Sequence, residues 1–173
     1  MTTFKTKRHI EIDEGYQGIN LTEFAIKVDE QIDNDNIVDT FIRSKQFSFD
    51  SLRDCVKAEP DKGYLRQAFN IERIKITDFK KTDKKGTSKF LSDFYNEPDW
   101  GDDRSDFAKL LDRYFEIHNQ IETNNFYILS KDWFSKEDDR IIEPESWVYI
   151  YYFLIIYVDK KSNSLTLTEW TYD

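Results

Sequence analysis

The sequence predicts an α+β fold, with N-terminal and central helices packed on an antiparallel sheet that ends in a C-terminal meander. Three observations predict it. Residues 146–158 form the most apolar run in the chain and lead, through a polar turn, into a second strand-like segment at 164–172. Residues 103–121 carry the clearest helical stripe. Helical patterns dominate early and strand patterns late, an order that suits α+β rather than alternating α/β.

Taken in order, residues 4–13 read as a strand, with Ile10 and Ile12 alternating against charge until Gly15 and Gly18 break it. Leu21, Phe24, Ala25, Val28 and Ile32 recur at helical spacing behind Asn20 as N-cap, which predicts a helix over 21–33; Phe24–Val28 also reads as a strand. Ile37, Val38, Phe41 and Ile42 make a second helical stripe. Asp50 and Ser51 cap a third segment containing Leu52, Cys55 and Val56, which ends at Glu59-Pro60. Tyr64, Leu65, Ala68 and Phe69 add a further turn or two. Residues 71–79 change period, Ile74 and Ile76 alternating with Arg73, Lys75 and Thr77, which predicts a strand. Residues 80–88 read as a solvated loop. Phe90, Leu91, Phe94 and Tyr95 read as a short helix stopped before Pro98.

On the 103–121 helix, Phe107, Leu110, Leu111, Tyr114, His118 and Ile121 share one face, with charged side chains opposite. Asp102, Asp103 and Asp106 suit the positive end of its dipole. A strand is predicted at about 126–130, then a charged connection over 133–144. In the closing run, side chains alternate between two faces. One carries Val148, Ile150, Tyr152, Leu154, Ile156 and Val158. The other carries Trp147, Tyr149, Tyr151, Phe153, Ile155 and Tyr157. Leu165 and Leu167 join the first; Thr166, Thr168, Trp170 and Tyr172 join the second. The first is a core face. The second is either covered, with 21–58 as the sizeable helical cover, or offered to a partner. No repeat or composition shift marks a linker, so 1–173 reads as one globular domain.

Aromatic residues make up 16% of the chain, enough packing area to predict an ordered core. The formal net charge of −9 argues against nucleic acid and against anionic membrane surfaces as partners, and suits a basic protein partner. The single cysteine, Cys55, permits no internal disulfide. The N-terminal stretch lacks the apolar core of a signal peptide, and the longest apolar run is too short to span a bilayer. A cytoplasmic protein is the expectation.

No motif fixes a reaction. There is no phosphate-binding glycine loop, no nucleophile elbow and no Cys/His set at zinc spacing. The acidic cluster Asp99, Asp102, Asp103 and the run Asp33-Asn34-Asp35-Asn36 lack the calcium-loop pattern, and helix capping explains Asp102 and Asp103 without a metal; Glu137, Asp138, Asp139 read as a solvated loop or an acidic rim for a basic partner. His118 has two readings: a packed core histidine, or with Tyr114 the lining of an apolar pocket that takes a small ligand or hosts a reaction. No cofactor is implied. The remaining candidate is the aromatic face. Trp147, Tyr149, Tyr151, Trp170 and Tyr172 are the residue types of binding hot spots, with Glu169 at their rim. The function expected from these features is non-enzymatic protein binding. Its concrete form is an acidic immunity or antitoxin-type protein that neutralises a basic effector. A homodimer burying the aromatic face is a further expectation.

Overall fold

The computed structural model describes residues 2–28, 31–48, 64–65, 68–97, 103–141 and 150–172. The fold is α+β. Six antiparallel strands form one sheet in the order β1-β2-β8-β7-β6-β5. These are β1 (Thr3–Glu14), β2 (Gln17–Lys27), β5 (Lys80–Thr82), β6 (Phe126–Ser130), β7 (Tyr151–Asp159) and β8 (Ser164–Tyr172). A separate two-residue pair, β3 (Tyr64–Leu65) and β4 (Phe69–Asn70), stands beside it. The helices are α1 (Asn34–Ile42), α2 (Lys45–Ser48), α3 (Lys84–Tyr95) and α4 (Arg104–His118). None is long and apolar enough to cross a membrane among the described residues.

The sheet is buried on both sides. Tyr152, Leu154, Ile156, Val158, Leu165 and Leu167 face α1, packing with Ile37, Val38, Phe41 and Ile42. Tyr151, Phe153, Ile155, Tyr157, Trp170 and Tyr172 face α3 and α4, packing with Leu91, Phe94, Phe107, Leu110, Leu111 and Tyr114. The two-faced alternation read from the sequence therefore holds, but the cover is different. The aromatic face lies under α3 and α4, not under 21–58.

The helix expected over 21–33 is not formed among its described residues, and the strand reading of Phe24–Val28 is the one that fits: Gln17–Lys27 is a strand held between β1 and β8. The helical spacing arose because Ile19 and Leu21 face α4 whereas Phe24 and Ile26 face α1. A strand covered on both faces shows apolar residues on both, which erases the period-2 signal. Residues 71–79 are not a strand either. The Arg73 and Ile74 amides donate to the Asn70 carbonyl, and Ile76–Asp78 forms a 3-10 turn. The loop assigned to 80–88 contains β5 and the first turn of α3, whose N-cap Asp83 accepts from the Gly86 amide at 2.6 Å. The strands at 126–130 and 164–172 match their prediction. The segment around 50–58, with Cys55, and residues 146–149 lie outside the described residues.

Two turns set the geometry of the sheet. β1 and β2 join through Gly15 and Tyr16, with Gly15 at φ +61°, a conformation glycine takes without cost. A side chain there would also meet the Asp106 carboxylate of α4. β7 and β8 join through residues 160–163, where Asn163 adopts φ 49° and its carbonyl accepts from the Ile26 amide. The tip is thereby tied to β2.

Candidate functional site

The predicted aromatic patch proves to be an interior wall. Trp170 is fully buried and its ring stacks on Phe153 at 5.3 Å, with Phe107 at 5.5 Å and Tyr114 at 5.1 Å. Tyr151 donates to Gln17 Oε1 at 2.9 Å, Gln17 Nε2 donates to the Asp103 carbonyl at 2.8 Å, and Tyr172 donates to the Asp103 carboxylate. That chain fastens the start of α4 to the end of the sheet. The Asp103 carboxylate, with burial second, pushes the Tyr172 hydroxyl up to about 12, so it stays protonated and donating. Trp147 and Tyr149 lie outside the described residues. Glu169 is not at the rim of this face. It stands opposite Leu154 and beside Trp170 in sequence, so alternation turns it to the α1 face, where it is 1% exposed and accepts from the Tyr152 hydroxyl.

His118 and Tyr114 are brought together, their rings stacked at 5.4 Å within the α4 face of the core. His118 Nε2 lies 3.2 Å from Ser88 Oγ and 3.4 Å from the Lys84 carbonyl. Lys84 Nζ donates to the Asn119 and Ile121 carbonyls, a cation placed where the helix leaves its last carbonyls without partners. Two helix ends are thus latched around the imidazole. His118 Nδ1 and Trp170 Nε1 are buried there without a hydrogen-bond partner. Burial raises the Tyr114 hydroxyl well above its usual range, and the Tyr157 hydroxyl adds to this against the opposing effect of Thr168.

Burial holds the His118 imidazole below its ordinary value. The Lys84 carbonyl opposes that shift and the Lys84 ammonium adds to it. An unfolded chain therefore takes up a proton at His118 more readily than the folded one. The stability contribution is complete above the unfolded value of about 6.5 and is lost as pH falls through it. We expect the urea midpoint to drop between about pH 7.5 and 5, and His118→Asn to flatten that part of the profile. An unchanged slope in the variant would locate the titrating group elsewhere.

Asp103, Asp138 and Asp139 of the acidic clusters are engaged structurally. Asp138 accepts three hydrogen bonds from Arg140, one from its amide and two from its guanidinium, which also reaches Asp78 and lies over the Phe134 ring. Arg140 holds the Asp138 carboxyl down at about 2. Asp139 pairs with Arg73 at 3.6 Å. Asp99 and Asp102 lie outside the described residues. Among the described residues no group of three or more His, Cys, Asp or Glu is arranged to hold a metal ion.

Among the described residues an open concavity lies elsewhere, beyond the end of α4. It encloses about 460 Å³. Tyr157, Ser164 and Thr166 form its floor. Arg8 and Glu23 make one wall, Ile117, Gln120, Ile121 and Glu122 the other, and Asp159, Lys161 and Ser162 of the hairpin turn close one end. His118 is one residue from this groove but points into the core, not into it. Glu23 is already paired with Lys7 at 2.7 Å and approached by Arg8 at 3.6 Å, and Glu122 lies 4.0 Å from the exposed Lys161. The sequence offered no signal for this site. Three segments far apart in the chain build it, and none carries a motif. The chain matches no protein-family model, no curated protein and no solved structure.

Proposed function

We propose that the chain is a non-catalytic, protein-binding domain that receives a basic partner, in the manner of an immunity or antitoxin protein that neutralises an effector. The observation that carries this reading is the groove at the end of α4. Glu23, Glu122 and Asp159 line it together with Arg8 and Lys161 around a floor of hydroxyls; Lys7 and Arg8 already hold Glu23, which leaves Glu122 and Asp159 as the carboxylates for a partner. Ile117 and Ile121 offer an apolar wall along which the stem of an arginine or lysine can lie while its charged head meets a carboxylate. The net charge of −9 would steer such a partner inward. The other reading, a pocket for a small ligand or reaction at His118, has weaker support. The imidazole is fully buried, and its Nε2 is occupied by Ser88 and the Lys84 carbonyl.

The direct test uses acetyl-arginine amide as the probe in an NMR titration. Amide shifts should concentrate at Tyr157, Thr166, Gln120 and Glu122. Binding should weaken several-fold in high salt, and again in Glu122→Lys, a change at an exposed side chain that leaves the fold intact. Shifts scattered over the surface, or unaffected by Glu122→Lys, would remove the groove from consideration and this reading with it.

A further inference from the structure

β1 is one of the two outer strands of the sheet, and among the described residues its outer edge pairs with no other strand; at its end Arg113 of α4 reaches the Asp13 carbonyl at 3.5 Å and the Glu14 carboxylate at 3.3 Å. Over Thr3–Glu14 only Phe4 and Ile12 are buried. An edge of this length, with its amides and carbonyls turned outward, is a template for another strand. Its charges are sorted. Lys5, Lys7 and Arg8 fill the first half, and Glu11, Asp13 and Glu14 the second. A partner strand of one charge sign would be repelled along one half. A second copy running antiparallel meets opposite charge along both.

The faces of the strand narrow the register. A bulge between Thr6 and Arg8 makes Lys7 the extra residue. Before it, Phe4 and Thr6 stand opposite Ile26 and Phe24 on the α1 face, which places Lys5 on the α4 face. After it, Arg8, Ile10 and Ile12 stand opposite Glu23, Leu21 and Ile19 on the α4 face. One antiparallel alignment centred on Ile10 keeps every pair on a common face. It sets Ile10 against the partner's Ile10, His9 against the partner's Glu11 and Arg8 against the partner's Ile12. Beyond the Lys7 bulge it sets Lys5 against the partner's Glu14.

We propose that β1 is a homodimer interface, in which two copies pair antiparallel about a two-fold axis at Ile10 and join their sheets into one. The half-exposed Ile10 is covered in the process, and on both sides of the axis Lys5 faces Glu14, a carboxylate that Arg113 and Lys109 of its own chain also approach. Bulges and lysines also serve to keep edges single, and that role predicts a monomer instead. The inference does not rest on the groove: the two share Arg8, but Glu122→Lys tests the groove without touching β1 and Lys5→Glu tests β1 at a residue that does not line the groove, so either can fail alone.

Two measurements decide it. Sedimentation equilibrium at low salt should show mass rising with concentration from 20.9 kDa toward twice that value. Lys5→Glu, at an exposed position, should raise the dissociation constant at least tenfold without changing the melting temperature. The second measurement is cross-linking. Residues directly opposite in an antiparallel pair have Cβ atoms about 4.5–5.5 Å apart, close to disulfide reach. Ile10→Cys should therefore cross-link under mild oxidation faster than Lys5→Cys, with the wild type and its Cys55 as background. A mass of 20.9 kDa at every soluble concentration overturns the proposal. So does a dimer in which Ile10→Cys cross-links no faster than Lys5→Cys.

Discussion

Trp170→Ala lowers the free energy of unfolding by about 3–5 kcal/mol, the loss typical of removing a buried aromatic side chain. Trp170 is fully buried and forms the joint between the sheet and α4, touching Phe153, Phe107 and Tyr114 at once. Its removal leaves a void that three aromatic rings and a helix cannot close by small shifts. The urea midpoint should fall steeply with little change in slope, the signature of lost stability rather than a changed unfolded state. The same experiment separates the two sequence readings of this residue. An exposed hot spot would be truncated at almost no cost to the isolated chain. A variant within about 1 kcal/mol of wild type, smaller than any buried-aromatic deletion, would mean that α4 does not sit on this face.

Phe41→Ala is the counterpart on the other side of the sheet. The Phe41 ring meets Phe4 at 5.1 Å, Phe24 at 5.0 Å and Phe47 at 5.5 Å, so one side chain links β1, β2, α1 and α2. A loss of about 3–5 kcal/mol is again expected. The two residues belong to clusters on opposite faces and share no partner, so their losses should add. Single domains carry a total of about 5–15 kcal/mol. The double variant is therefore expected to be largely unfolded, read as loss of near-UV circular dichroism. A double variant no worse than either single one would show that the two cores do not contribute separately.

How much of this was legible in the sequence depended on whether a signal was local. β6, β8 and α4 could be read because each has a regular pattern bounded by turn residues: Asn124-Asn125 before Phe126, the polar turn before Ser164, and acidic residues at the start of the helix. The two faces of β7 followed from alternation alone. β2 was misread because being covered on both sides gave it apolar residues at spacings that also fit a helix. β5 was missed because three residues, two of them lysines, become a strand only through β6. Binding residues were harder. Tyr151, Trp170 and Tyr172 have hot-spot chemistry, but chemistry does not say whether a neighbouring helix already occupies the face. Glu169 could have been placed correctly, since it sits one residue from Trp170 and must point the other way. The groove at Tyr157, Glu23 and Glu122 had no sequence signature at all, because its walls meet only in the folded chain.

The strand order has a consequence for biosynthesis. β2 is completed by the pairing of Gln17 with Tyr172 and Ala25 with Ser164, so its inner edge waits for a segment translated long after it. While the ribosome works through the helices, the inner edge of β2 has no strand to pair its backbone with, although α1, made soon after, can already cover Phe24 and Ile26. Closing so long a loop is entropically expensive, and folds dominated by such distant pairings form slowly. The nascent chain therefore carries an unpaired strand edge for most of its synthesis, the kind of surface that makes incomplete chains prone to aggregate. Docking of β8 ends that exposure in a single late step.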